Sequence, residues 1–353
     1  MKILQVMAGG DHGGAETAFV DMCIAMRDAG VDIEVVTRSN PVRVPALEKA
    51  GIKVHTLPFG GGIDIFTGWA LGRIIKKFQP VIVQTWMARG AHKTPNWNVL
   101  KTAQRYLVVS RLGGYYKTKY FKSADYFNTI TPDIKRYLVD GGVEESKIRH
   151  INNFAEVEAI EKPVSRSDLD TPENAPVLLA LGRLHSSKAH DILIKSIVSL
   201  PHVYVWIAGE GPDRAKLEKL ATDLDIADRV KFLGWRTDRS ALLDACDVCV
   251  FVSRYEAFGT VFAQSWALHR PLIVSDADGP RQFCVNGEDS LMVPKNDAAA
   301  LTTAIQRILI DKPLRDRLIA QGYKRYQNEF TREKSVTSYL DFFLEILKRE
   351  NIL

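Results

Sequence analysis

Val177-Leu178-Leu179-Ala180-Leu181-Gly182-Arg183-Leu184, with Lys188 four residues on, is the stretch on which the fold turns. A short apolar run stops at a glycine and gives way to the helical pattern Lys188–Leu200. That reads as a buried strand running through a turn into a helix. Toward the C-terminus the alternation continues through strand Val203–Ala208, helix Pro212–Leu224, strand Val230–Leu233, strand Val248–Val252 and helix Gly259–Leu268. Strands Leu272–Ser275 and Ser290–Val293 follow, and everything after Ala298 reads as helix. Toward the N-terminus the short β-branched runs are Lys2–Ala8, Asp32–Arg38, Ile52–Leu57, Val81–Thr85 and Tyr106–Ser110, with helix Ala15–Ala29 ending before Gly30. Alternating strands and helices imply an α/β fold whose parallel sheets are covered on both faces.

At 353 residues the chain exceeds one ordinary core. The pattern breaks at Asn153–Pro176, where Glu156–Ala175 is rich in Glu, Asp, Ser and Pro. This stretch is expected to be a linker between two doubly wound halves, with domains at 1–160 and 161–330. The amphipathic segment Ser335–Lys348, with Tyr339, Phe342, Phe343 and Ile346 on one stripe, belongs to a terminal helix at 331–353. Two such halves set a cleft between them, and ligands of such sheets sit beyond the carboxyl ends of the strands.

Composition narrows the function. Apolar and charged fractions are those of a soluble globular protein, and no apolar run approaches a membrane span. Met1–Val6 reads as a first strand rather than a secretory signal, so a cytoplasmic location is expected. Four cysteines make no disulfide framework, and Cys249 alternates with Val248 and Val250 as a buried strand residue does. Asp276-Ala277-Asp278 has a metal-binding spacing, but Gly279-Pro280 beside it favours a turn. No metal and no cofactor are expected.

The charge is unevenly spread. Between Ile65 and Ala124 there is no Asp or Glu, while eleven cations and several aromatics, Trp69, Trp86 and Tyr120 among them, share the stretch. A solvated face could account for it, yet so long an acid-free run favours an anionic partner. No nucleic-acid module motif is present. An anionic membrane or a phosphorylated glycan suits a basic, aromatic surface.

The chemistry lies in the turns. Arg183 and Lys188 place two cations at a helix start, where the macrodipole disfavours them unless an anion sits between. Such a pair makes a place to hold a diphosphate. About seventy residues on, Glu256-Ala257-Phe258-Gly259-Thr260-Val261 sets a carboxylate before a glycine turn, where free N–H groups can meet a sugar or phosphate. A diphosphate clamp followed by a polyol-binding carboxylate points to a sugar nucleotide. The first turn, Gly9 to Glu16, follows a strand and opens a helix. It lacks the dinucleotide fingerprint because Asp11 stands where that motif needs glycine, and its His12 is a candidate polar group at the cleft.

Taken in order, these motifs resemble the retaining family 4 glycosyltransferases. They are Gly13–Glu16, Leu181–Lys188, Ala208–Pro212, Val230–Gly234, Glu256–Val261 and Gly287–Pro294, and they cover nearly the whole chain. Thr85–Arg89 and Asp278–Gln282 resemble bacterial enzymes of lipopolysaccharide core and surface glycans. The resemblance implies a GT-B fold, with two Rossmann-like domains and a last helix crossing back to the N-terminal, acceptor-binding one. It implies that Arg183 and Lys188 bind the donor diphosphate with help from Gly13 and Gly14. Phe232 and Leu233 would line the base pocket, Glu256 would hold sugar hydroxyls, and the backbone of Phe258, Gly259 and Thr260 would approach sugar and phosphate.

Two departures stand out. The family's second glutamate is here Gln264, which keeps an acceptor for the ribose but loses the charge; Gln282 is likewise an amide. The histidine many relatives carry after the fifth strand is replaced by Ser110-Arg111, leaving His12, Arg89, His92 and Arg111 as acceptor-side candidates. The implied reaction is metal-independent transfer of a hexose, with retention, from a nucleoside-diphosphate sugar to an anionic glycolipid at the inner face of the cytoplasmic membrane. A sugar-nucleotide 2-epimerase of the same architecture, or a sugar-nucleotide-binding protein with a weakened site, are the alternatives.

Overall fold

The structure is a computed structural model and describes residues 1–10, 13–61 and 64–353. The chain divides into two compact units, Met1–Asn153 with Arg332–Leu353, and Phe154–Thr331.

In the first unit seven strands form one parallel sheet: β1 (Lys2–Met7), β2 (Asp32–Thr37), β3 (Lys53–Thr56), β4 (Ile82–Trp86), β5 (Leu107–Leu112), β6 (Tyr126–Thr129) and β7 (Ile148–His150). Their order is β3-β2-β1-β4-β5-β6-β7, so the direction of winding reverses between β1 and β4. β4 and β5 are buried at every position, as a sheet covered on both faces requires. The helix Arg332–Arg349 belongs to this unit and buries the expected stripe of Tyr339, Phe342, Phe343 and Ile346.

A polar ladder crosses this sheet inside its apolar surroundings. Trp86 Nε1 donates to Gln5 Oε1 at 2.7 Å, Gln5 to Gln84 at 2.7 Å, Gln84 to Asn128 at 3.1 Å, and Asn128 to Tyr339 Oη at 2.8 Å. Each member is buried, and each bond satisfies a group whose desolvation would otherwise be costly.

The second unit holds β8 (Val177–Leu181), β9 (Tyr204–Ala208), β10 (Val230–Gly234), β11 (Val248–Phe251), β12 (Leu272–Ser275) and β13 (Leu291–Val293). All are parallel, in the order β10-β9-β8-β11-β12-β13, and the reversal falls between β8 and β11. One apolar cluster, including Leu178, Leu193, Val205, Val250, Ile273 and Ile305, joins this sheet to its helices. In an aromatic cluster of Phe258, Phe262, Trp266, Phe283 and Phe330, several rings meet edge to face and Phe262 stacks on Phe283.

The expected linker is a correction. Nearly all of Asn153–Pro176 is an anchored part of the second unit; the chain passes between units at 153/154 and again at 331/332. Polar bonds hold the stretch where apolar periodicity is lacking. Glu158 accepts from Arg239 and Ser240, Arg166 donates to the Ala175 and Ala245 carbonyls and pairs with Asp247, and Thr171 accepts from Trp206.

Candidate active site

The turns after β8 and β11 flank the reversal point of the second sheet, where ligands of open α/β sheets bind. Lys188 comes from the first turn and Glu256 from the second, and the two form an ion pair. Arg183, on the same turn as Lys188, is exposed and has no ion-pair partner among the described residues. The helix expected at Lys188 starts later, at His190–Ser196. Ser186–Lys188 is a separate 3-10 turn, and Ala189 sits at φ +53° between the two. The two cations therefore lie ahead of a short helix and not on its first turn, so their placement owes little to its dipole.

Backbone contacts fix this geometry. Leu184 N donates to Glu210 O at 3.0 Å and Gly209 N to Gly234 O at 2.8 Å, stitching the turns after β8, β9 and β10 together. A Cβ on Gly209 would fall 1.9 Å from the Gly182 carbonyl oxygen, which accounts for glycine there. Across the reversal point, Gly259 holds φ +73°, and a Cβ on it would meet the Phe251 ring at 2.3 Å. Gly279 N donates to Glu256 O at 2.8 Å, which fixes the other side of the Glu256 loop.

Three residues that position this site carry no motif in the sequence. Arg254 donates to both oxygens of Asp191, at 2.8 and 2.7 Å, and to Ser186 O at 2.6 Å. Its own amide donates to Ser187 O at 2.8 Å. The loop bearing Glu256 is thereby fastened to the turn bearing Lys188. Burial raises the Asp191 pKa, but hydrogen bonds from Arg254 and its charge outweigh that and lower it overall. His190 lies buried beneath the Arg183 turn, its Nε2 3.3 Å from Arg183 O. Burial pushes its pKa down to about 4 despite that bond. A conserved spacing could not have exposed these three, because their roles exist only once the two turns meet.

The remaining donor-side candidates sort by backbone and side chain. Phe258 is a core residue, 4.9 Å from Phe283 between ring centroids, so only its backbone is free to approach a ligand. Gly259 and Thr260 lead into the helix Val261–Ala267. Gln264 is buried and its amide donates to Glu156 O at 3.3 Å. Phe232 and Leu233 end β10, the edge strand two places from β8, and both are half-buried. Asp276 accepts from Lys295 N and Asp278 pairs with Arg281, as a turn would have it. Among the described residues no group of three or more His, Cys, Asp or Glu is arranged to hold a metal ion. Cys246 and Cys249 are buried, and burial raises the Cys249 thiol to about 12.

In the first unit, the reversal point lies between β1 and β4. Gly13 caps the helix Gly14–Asp28, and the Glu16 carboxylate accepts from Gly10 N at 2.6 Å in the same turn. Arg89 and His92 are exposed on the helix Met87–Lys93 that follows β4, with His92 edge-on to Tyr120 at 6.0 Å. His12 lies outside the described residues.

Arg111 is a second correction. It is fully buried on β5, its guanidinium stacked 3.9 Å from the Trp86 ring centre and donating to Asn153 Oδ1 at 2.5 Å. Burial lowers its pKa, and Tyr339 is the main group opposing that. It braces the interior of the first unit and presents nothing to an acceptor. The acid-free stretch divides in the same way. Trp86 and Phe121 are core, and Arg105 pairs with Glu350, whereas Ile65, Phe66, Trp69, Tyr115 and Tyr120 are exposed. No helix among the described residues is long and apolar enough to cross a membrane.

Two units, each a doubly wound parallel sheet with one reversal point, make up the GT-B architecture. Residues 161–325 match the family model for glycosyl transferases group 1, and residues 12–159 match that for glycosyltransferase family 4. The chain is 34% identical over 343 residues to the lipopolysaccharide core biosynthesis glycosyltransferase LpsE of Rhizobium meliloti, covering 96% of this chain and 98% of that one. A glycosyltransferase of Rickettsia africae superposes with a TM-score of 0.85 at 20% identity, covering 98% of both chains. Anabaena HepE in complex with UDP superposes with a TM-score of 0.83 at 18% identity, covering 98% of this chain and 100% of that one. The chain belongs to the family 4, group 1 glycosyltransferases.

Proposed function

We propose that this glycosyltransferase moves a hexose, with retention, from a nucleoside-diphosphate sugar to a glycolipid of the lipopolysaccharide core type. The observation that carries the reading is the meeting of Lys188 and Glu256 at the reversal point of the second sheet, with Arg183 exposed beside them. Arg183 and Lys188 take the diphosphate; Glu256 takes sugar hydroxyls; Gly259 and Thr260 offer backbone N–H groups. Gly13, Gly14, Phe232, Leu233 and Gln264 complete the donor side, and Arg89 and His92 the acceptor side. LpsE supports the acceptor class by its name, and the HepE complex supports a nucleoside diphosphate.

In the transfer, the acceptor hydroxyl attacks the anomeric carbon on the face the diphosphate leaves. The C–O bond to phosphate breaks as the new glycosidic bond forms, and the hydroxyl proton passes to the departing phosphate oxygen. Two fixed cations stabilise charge developing on that oxygen, so no metal is required.

For the acceptor's setting, the helix Phe66–Phe78 offers exposed Ile65, Phe66 and Trp69 at its start, with Arg73 5.1 Å over the Trp69 ring and Lys76 and Lys77 in its last turn. Apolar wedge and cations together suit the anionic inner face of a cytoplasmic membrane. The test of the reading is turnover of labelled sugar nucleotide with a core glycolipid. Replacing Arg183 and Lys188 together by Ala should lower turnover by about a hundredfold or more, with the fold kept. Near-normal turnover in the double variant would refute it.

A further inference from the structure

The groups assigned above to opposite ends of one donor are bonded to each other. Lys188 meets Glu256 with side chains 23% and 14% exposed, and neither has a second ion-pair partner among the described residues. The Phe251 ring lies 5.7 Å from the ammonium on one side. The pairing is imposed by its supports. Arg254 fastens the two loops through Ser186, Ser187 and Asp191, while Gly279 holds the Glu256 carbonyl from the far side.

One ammonium cannot serve a carboxylate and a diphosphate at full strength. A diphosphate that draws Lys188 away leaves Glu256 half enclosed, without its cation and beside a new anion. Stranding an enclosed charge costs more than the pair itself contributes. A sugar ring offers what the stranded carboxylate lacks, since its hydroxyls donate to it. A nucleoside diphosphate alone has no group there.

We infer that the Lys188–Glu256 pair makes this site discriminate an intact sugar nucleotide from the spent nucleoside diphosphate. The donor replaces Lys188 on Glu256 with its own hydroxyls; the product breaks the pair and leaves it unreplaced. The pair thus favours release of product after the sugar has gone. The inference rests on the donor reading above.

Titration calorimetry on the full chain tests it, with UDP, UDP-glucose, GDP and GDP-mannose as probes. Glu256→Gln keeps the shape and an acceptor oxygen but cannot pair with Lys188. In that variant the nucleoside diphosphate should bind about tenfold more tightly than in the wild type. The preference for sugar nucleotide over diphosphate should collapse. Unchanged or weaker diphosphate binding overturns the inference, and so does equal tightening of both ligands, which would make Glu256 a general repulsive charge. Glu256→Ala repeats the comparison if the amide variant fails to fold. A wild type that binds none of the four probes overturns the donor reading itself, and this inference with it.

Discussion

Arg254 grips Asp191 across the reversal point of the second sheet, one guanidinium nitrogen on each carboxylate oxygen at 2.8 and 2.7 Å. The pair spans 63 residues of sequence and ties the loop of Glu256 to the turn of Lys188. Bidentate pairs of this kind fix direction as well as distance. Arg254→Ala should therefore cost about 1–3 kcal/mol of stability. It should also lower kcat/KM by about ten- to a hundredfold, since small displacements of positioned groups are expensive. Arg254→Lys should restore much of the stability but little of the rate. Denaturant unfolding and steady-state kinetics check the two together.

His190 supplies a pH dependence. Its folded pKa of about 4 lies below the usual histidine value, because burial opposes charging it, a penalty that the bond to the Arg183 carbonyl offsets only in part and that Lys188 adds to. Between about pH 6.5 and 4 the unfolded chain takes up a proton that the folded chain refuses. Its stabilising contribution is thus complete above about pH 6.5 and is lost progressively as pH falls toward 4, up to about 3 kcal/mol. Urea unfolding of wild type and His190→Gln at pH 7 and pH 5 should show a smaller loss of stability in the variant.

How much of this the sequence disclosed depends on what holds each piece. β1, β2, β8 and β12 announce themselves as apolar runs between turn residues, and the structure places them within a residue or two of expectation. β6, Tyr126–Thr129, and β7, Ile148–His150, are too short to show a period. Asn128, central in β6, reads as a loop residue until Gln84 and Tyr339 are seen to satisfy it. The residues proposed to touch a donor were legible because glycine turns and cations at strand ends advertise themselves. Arg254, Asp191 and His190 were not, because each acts through a partner far away in the chain. Arg111 misled for another reason: it stands where relatives of the resembled family carry a histidine, and only the tertiary structure shows Trp86 and Asn153 enclosing it.

That enclosure is testable. Tyr339→Phe removes the hydroxyl that accepts from Asn128 and opposes the burial of Arg111. It should destabilise the protein by about 1–3 kcal/mol, the cost of leaving buried polar groups unpaired. KM for donor should stay unchanged, because the substitution lies in the first unit's interior. Thermal unfolding and donor saturation curves measure both.

The helix Phe66–Phe78 gives a membrane prediction. The protein should bind vesicles containing anionic lipid and release them as salt rises, while neutral vesicles bind weakly. Replacing Phe66 and Trp69 by Ser should weaken binding about tenfold or more by removing apolar area from the interface. Vesicle co-sedimentation at two salt concentrations decides it; binding indifferent to lipid charge and salt would remove the membrane contact.

The central claim is that two cations of the second unit grip the linked phosphates of an activated sugar. A crystal structure of the full chain with bound UDP or GDP tests it most directly. The account predicts nitrogens of Arg183 and Lys188 about 2.7–2.9 Å from phosphate oxygens, with Glu256 released from Lys188. A diphosphate seated elsewhere, with Arg183 turned to solvent and Lys188 still on Glu256, would contradict it.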